Sequence, residues 1–174
     1  LECDAQLAMC RTARVNEAGE TLSIDEDTFD EPVMSGAELA RRLLLSEARG
    51  YACNKLFRRE LLGHAPFPEG HVYEDVAPML RIALSAERVA LVDAPLYRYL
   101  INDTSISRRF GAHTHDLFVQ DHHVRALLAD AGVFDGAEAE TWRSAHLMFR
   151  YDGVVFPAAN MALRAKLAGE GDRE

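Results

Sequence analysis

Pro78 constrains this chain more than any other residue. It stands in an apolar stretch in which Val76, Met79, Leu80, Ile82, Ala83 and Leu84 recur at helical spacing. Proline has no N–H, and its ring collides with the preceding turn. A helix accepts it only within the first turn, where backbone N–H groups lack intrahelical partners anyway. The helix must therefore begin close to Asp75, which brings the adjacent acids Glu74-Asp75 to a helix start.

An acid at a helix start has two readings. It can cap, since the dipole and free N–H groups there favour negative charge. With Asp75 as the cap, however, Pro78 occupies the third helical position and has no N–H to donate, so the cap is at best half strength. Alternatively, a carboxylate in reach of a hydroxyl can act as a general base. A neighbouring acid raises its pKa, whereas a helix N-terminus lowers it. The residues leave both readings open.

The approach to the pair is just as constrained. His64-Ala65-Pro66-Phe67-Pro68-Glu69-Gly70 holds two prolines and a glycine. It can be neither a regular helix nor a central strand, so it is a shaped loop leading into Tyr73-Glu74-Asp75. Before it, Ala52-Cys53-Asn54-Lys55-Leu56-Phe57 sets an amide and a cation among core-like residues. Lys55 is either an ordinary solvated lysine or, with Asn54, a polar group aimed into a cleft. A short helix over residues 58–62 is closed by Gly63.

Elsewhere the pattern is plainer. Residues 7–24 read as a β-hairpin turning at Asn16 and Gly19. Residues 25–34 are rich in acid and lack periodicity, which predicts a solvated loop. Asp25-x-Asp27 lacks the spacing of a calcium loop. Ser35-Gly36-Ala37-Glu38 is a capping box, and the helix it opens should end near Arg49-Gly50. Val89-Ala90-Leu91-Val92 is a buried strand broken by Asp93-Ala94-Pro95, with a further extended segment over residues 96–100. Residues 102–109 form a polar loop. From Thr114 onward the chain reads as helical: one helix ends at Asp130-Ala131-Gly132, a second covers residues 138–151 and a third 161–167.

Composition narrows the classes. A chain of 174 residues with 48% hydrophobic content can bury a core of its own. Its net charge of −9 disfavours binding to a phosphate backbone, which calls for a basic face. Cys3, Cys10 and Cys53 are odd in number and form no C-x-x-C pair, so they read as small apolar residues in or near the core, in a reducing compartment. No apolar run is long enough to span a bilayer, and no signal peptide stands out. The chain opens Leu1-Glu2-Cys3 without Met and enters directly into folded pattern, which suggests a piece of a longer protein. His113, His115, His122 and His123 cluster in sequence but lack an H-E-x-x-H arrangement. Surface histidines are the plainer reading, with His113 or His115 the metal candidates.

Taken together, Cys53-Asn54-Lys55-Leu56-Phe57, Phe67-Pro68-Glu69-Gly70, Glu74-Asp75, Tyr97-Arg98-Tyr99 and Asn102-Asp103-Thr104-Ser105-Ile106-Ser107 form an ordered series. It resembles the second half of bacterial family 2 glycosyltransferases, closely over residues 50–110 and loosely over residues 1–50. The resemblance implies an α/β fold: part of a GT-A-like mixed sheet over residues 1–110, with a helical C-terminal extension over residues 111–174. It implies inverting transfer of a sugar from a nucleotide-sugar donor to an acceptor hydroxyl on a glycan or lipid-linked sugar, in the synthesis of cell-surface or exopolysaccharide. Mg²⁺ or Mn²⁺ is the implied cofactor, and the cytoplasm or inner membrane face the implied location.

By the same resemblance Asp75 is the catalytic base and Glu74 its companion. Asn54 and Lys55 line the cleft, and Tyr97, Tyr99, Ser105 and Ser107 belong to a segment that closes over the substrates. Two positions depart from the pattern, since many relatives carry Arg where this chain has Leu100 or Asn102. The family's nucleotide-binding half and its Asp-x-Asp metal motif do not occur in these residues, and Asp25-x-Asp27 follows a hairpin instead of a buried parallel strand. The expectation is a half-site with little activity by itself, whose uncovered apolar surface can drive homodimerisation. The competing expectation is a non-catalytic module derived from such a half, binding a glycan or a protein partner.

Overall fold

The computed structural model describes residues 4–25, 31–63, 67–102, 105 and 109–169. Its centre is β1 (Leu7–Val15), the first arm of the expected hairpin. β2 (Thr21–Ile24) returns antiparallel to it, pairing Ala13 with Ile24 and Arg14 with Ser23. The turn is tied by Asn16, whose Oδ1 accepts the Glu20 N–H at 2.9 Å, and by Gly19 at φ 80°. β3 is Val33–Met34, β4 is Lys55–Phe57 and β5 is Val89–Leu100. The sheet runs β2-β1-β5-β3, and β4 also pairs with β1. The β1–β5 ladder is parallel and the others are antiparallel, so the sheet is mixed.

β5 corrects the expectation of two segments split at Asp93-Ala94-Pro95. It is one strand carrying a bulge. The partners along β1 jump from Cys10↔Val92 to Thr12↔Tyr97, so the intervening residues of β5 lie outside the ladder. Pro95 has no N–H to give to a ladder, and a bulge accommodates that without ending the strand. Arg11 Nε holds the bulge through Asp93 Oδ1 at 2.5 Å.

Helices α1 (Gly36–Leu44) and α2 (Val76–Ser85) cover one face of the sheet. Leu7, Met9, Val89 and Leu91 meet Leu39, Leu44, Met79, Leu80 and Ile82 in one core. Ser35 Oγ accepts the Glu38 N–H at 3.1 Å, as the capping box requires. Glu38 turns instead to Arg41 and Arg42. α1 also ends earlier than the glycine at position 50 suggested. Ser46 adopts φ 59°, and the Glu47 N–H reaches Arg42 O at 2.9 Å while the Ser46 N–H reaches Leu43 O. This is a Schellman closure with serine in the place usually held by glycine. The early stop releases residues 46–54 as a loop. Gly36 marks the closest approach of α1 to α2, since a Cβ there would lie 2.0 Å from Ala83 O.

After Gly111 the chain is helical. α3 (Asp116–Asp130) closes through Gly132 at φ 67°, as its sequence signalled. α4 (Ala139–Met148) runs through a π-helical turn, Phe149–Val155, into α5 (Phe156–Leu167). The last helix thus begins earlier than expected, because the wider turn absorbs Pro157. The Phe156 N–H already bonds Tyr151 O five residues back, which leaves slack in the ladder where proline has no donor. Val124, Leu128, Trp142 and Ala145 join the central core. Asp121 clamps the helices together, 3.0 Å from both His146 Nε2 and Arg150 Nε.

On the opposite sheet face Ala8 is aligned with Leu56 on one side and Ala90 on the other, and Ala90 is buried. Leu56 is 79% exposed. Among the described residues, no helix is long and apolar enough to cross a membrane.

Candidate functional site

Asp75 is the first residue to place. Its backbone is already helical, at φ −85° and ψ −20°, and its carboxylate makes no capping hydrogen bond. A cap needs an extended backbone, and Pro78 has removed one of the two N–H groups a cap would bind. The capping reading is therefore not realised, and the carboxylate is left to its surroundings. Burial pushes its pKa above the usual carboxylate range, and the Glu74 charge adds to the rise. Its own backbone N–H and the Lys55 ammonium oppose it. Glu74 itself is exposed.

The turn presenting the pair is held from both sides. Tyr73 sits at φ 63°, a left-handed conformation that bulky residues seldom adopt. Its hydroxyl lies 3.8 Å from Met161 Sδ on α5. The Val72 N–H donates to Asp116 Oδ2 at 2.9 Å, and His71 Nδ1 lies 3.4 Å from Asp116 Oδ1. The Val72 bond holds Asp116 below the ordinary carboxylate range, with a smaller contribution from His71. Position 73 shows how Glu74 is turned outward beside the half-buried Asp75, and nothing in the sequence marked it, because tyrosine is not a left-handed residue.

Asn54 and Lys55 are both buried, so Lys55 is not the solvated lysine of the plainer reading. The Lys55 ammonium donates to Arg49 O at 2.6 Å, Tyr51 O at 2.7 Å and Asn54 Oδ1 at 2.7 Å. Asn54 Nδ2 donates to Cys10 O at 2.9 Å, and the Cys10 N–H returns to Asn54 O at 3.0 Å. The loop released by the early end of α1 thus closes around one cation and is fastened to β1. Through Lys55 it also acts on Asp75.

The other edge of this loop meets β5. Tyr97 and Tyr99 stand two residues apart and so share a face of the strand. The Tyr97 phenol is raised by its hydrogen bond with the Cys53 thiol and by that group's charge. Tyr99 stacks on Tyr51 with ring centroids 5.8 Å apart and planes at 14°. Cys53 is exposed, which corrects the reading that placed it in or near the core; Cys10 is half-buried, and Cys3 lies outside the described residues. Asp25 is corrected in the other direction. It is 5% exposed instead of solvated, and it accepts from Arg14 Nε at 2.8 Å. Arg14 reaches on to the Tyr51 hydroxyl at 3.2 Å.

The structure therefore connects Asp75, Lys55, Asn54, Cys53, Tyr97, Tyr51 and Tyr99. The Ser105 N–H bonds Asn102 O at 3.2 Å. Ser107 and Asp27 lie outside the described residues. His113 Nε2 lies 2.9 Å from Arg109 O, and His115 stacks on Phe118. Among the described residues, no three His, Cys, Asp or Glu side chains come together as a metal site. The chain matches no family model and no curated protein.

Proposed function

We propose that this chain is the acceptor-side half of an inverting glycosyltransferase with a GT-A-like fold, and that Asp75 is the acceptor-activating base. The observation that carries the reading is the state of Asp75. It stands at a helix start without serving as a cap, and burial and Glu74 push its pKa upward. A carboxylate whose pKa is raised takes a proton more readily, and the Lys55 ammonium opposes the rise by favouring the charged form.

In this reading the acceptor hydroxyl gives its proton to the Asp75 carboxylate. Its oxygen bonds to the anomeric carbon as the bond to the nucleoside diphosphate breaks, and the diphosphate departs with the electron pair. Tyr97 and Tyr99 form the wall on which a sugar ring can stack, while Lys55 and Asn54 are positioning residues. The exposed Leu56 marks the edge at which a donor-binding half would pack, and that half would hold the metal.

The second reading is a glycan- or partner-binding module without catalysis. It is favoured by the engagement of Asn54 and Lys55 within their own loop. The test uses the full-length gene product, a panel of nucleotide sugars and polysaccharide or lipid-linked acceptors, with nucleoside diphosphate release as the readout. The enzyme reading expects release that Asp75→Asn removes while circular dichroism is unchanged. Release that survives Asp75→Asn refutes the role of Asp75, and glycan binding without any release establishes the module.

A further inference from the structure

α4, the π-helical turn and α5 run end to end from Ala139 to Leu167. Trp142, Ala145, Val154 and Ala165 are the buried side of this rod. A helix at the surface normally carries polar residues on its outer side. Here Leu147, Tyr151, Val155, Ala159, Leu163 and Leu167 recur at every fourth position, and all six are exposed. The five large ones are 48–79% exposed, and Met148 and Phe156 stand beside them about half exposed.

The π-helical turn keeps these residues in line. In an α-helix each four-residue step overshoots a full turn by about 40°, so five steps would carry Leu167 about 200° round from Leu147, onto the side facing the core. A π turn holds more residues, so the steps through Phe149–Val155 fall short of a full turn and take back part of the drift. The result is one apolar ridge roughly 30 Å long. With roughly 200 Å² of surface on a fully exposed residue of this size, the seven large side chains leave on the order of 800 Å² uncovered. That is more than the roughly 300–600 Å² of the largest patch on an ordinary monomer, and it matches the roughly 800 Å² that each partner brings to a stable complex.

We infer that this ridge is the interface of an isologous dimer, in which a second copy of the chain lays its own ridge across it, antiparallel about a two-fold axis midway between Val155 and Ala159. Val155 then meets Ala159 of the second copy and Tyr151 meets its Leu163, so the smallest pair lies where the rods approach most closely. The direction follows from charge. Asp152 and Lys166 are exposed beside the ridge. Antiparallel packing brings Lys166 within one turn of the second copy's Asp152, whereas parallel packing sets each against its own kind. An anionic lipid surface is a poorer match, because the chain carries a net charge of −9 and Arg150 on the rod is already paired with Asp121 at 3.0 Å. The inference does not rest on the transferase reading, since it needs neither donor nor acceptor.

Sedimentation velocity of this chain over about 1–100 μM should show a dimer with a dissociation constant of about 10 μM or tighter. Tyr151 and Leu163 are exposed, so charges there leave the fold intact, which circular dichroism checks. Tyr151→Glu with Leu163→Glu sets like charges against each other and should weaken association at least tenfold, to about 100 μM or beyond. Tyr151→Lys with Leu163→Glu sets unlike charges together across the same axis and should recover most of the loss. Leu56→Ser, at the sheet edge, should leave association unchanged. A wild-type chain that stays monomeric, association that survives the paired glutamates, or a lysine–glutamate variant as weak as the paired glutamates would each overturn the inference. Dissociation by Leu56→Ser would also overturn it, by placing the interface at the sheet edge. So would a monomer that binds phosphatidylglycerol-containing vesicles and loses them in the paired-glutamate variant, by identifying the ridge as a membrane contact.

Discussion

Lys55→Met asks how much of the site depends on one buried cation. Methionine matches the lysine stem in length and bulk, so packing around residue 55 is kept and the ammonium alone is lost. Three acceptors lose their donor: Arg49 O, Tyr51 O and Asn54 Oδ1, at 2.6, 2.7 and 2.7 Å. A buried acceptor left unmet costs about 1–3 kcal/mol, and relief from burying a charge offsets part of the loss. The loop can open to admit water, which favours the lower end for each, so a net destabilisation of about 3 kcal/mol is expected. In urea, with a slope of about 1–3 kcal/mol/M, the midpoint should fall by roughly 1–3 M. Trp142, the single tryptophan, is buried and reports the transition. The variant should also raise the Asp75 pKa further, because Lys55 is one of the groups holding it down. A midpoint within about 0.3 M of wild type, at an unchanged slope, would refute the view that this ammonium organises the loop.

Gly36→Ala places a methyl 2.0 Å from Ala83 O and 2.1 Å from Ala86 O, so α1 and α2 must separate. Overpacking of this kind costs about 1–3 kcal/mol and outweighs the gain in helix propensity, so the thermal midpoint should drop. Asp75→Asn should stabilise the fold at neutral pH. A carboxyl with a raised folded-state pKa binds its proton more tightly in the native state, so wild-type stability falls as pH rises from the unfolded pKa through the folded one. The variant lacks this penalty, and the difference between the two denaturation midpoints should grow across that window and be flat above it. For Asp116 the sign is reversed. Its lowered pKa makes its contribution present at neutral pH and lost on acidification, so Asp116→Ala should speed hydrogen exchange at the Val72 amide several-fold at pH 7 and little in strong acid.

The parts of the fold legible in the sequence are those where one residue excludes the alternatives. Pro78 fixed the start of α2, Ser35 the start of α1, Gly132 the end of α3, and Asn16 with Gly19 the hairpin turn. Ser46 and Tyr73 were not legible, because each holds a left-handed backbone that its type does not favour and that tertiary contacts impose. The parallel pairing of β1 with β5 joins residues about 80 apart and leaves no local signal. At the site, the motif drew attention to Asn54, Lys55, Tyr97 and Tyr99 but not to how they are joined. The partners Tyr51 and Cys53 act through stacking and a thiol contact that composition does not reveal.

The most direct test of Asp75 as the base is the pH dependence of kcat/KM in the full-length gene product, which reports the ionisation of the free enzyme. The acidic limb should fall above the ordinary carboxylate range. Glu74→Gln should move that limb to lower pH, because the Glu74 charge is one of the causes of the raised pKa. Asp75→Asn should cost about 10²–10⁴ in rate and abolish the limb. An acidic limb that stays in place in Glu74→Gln and persists in Asp75→Asn would assign the proton transfer to another group and contradict the account.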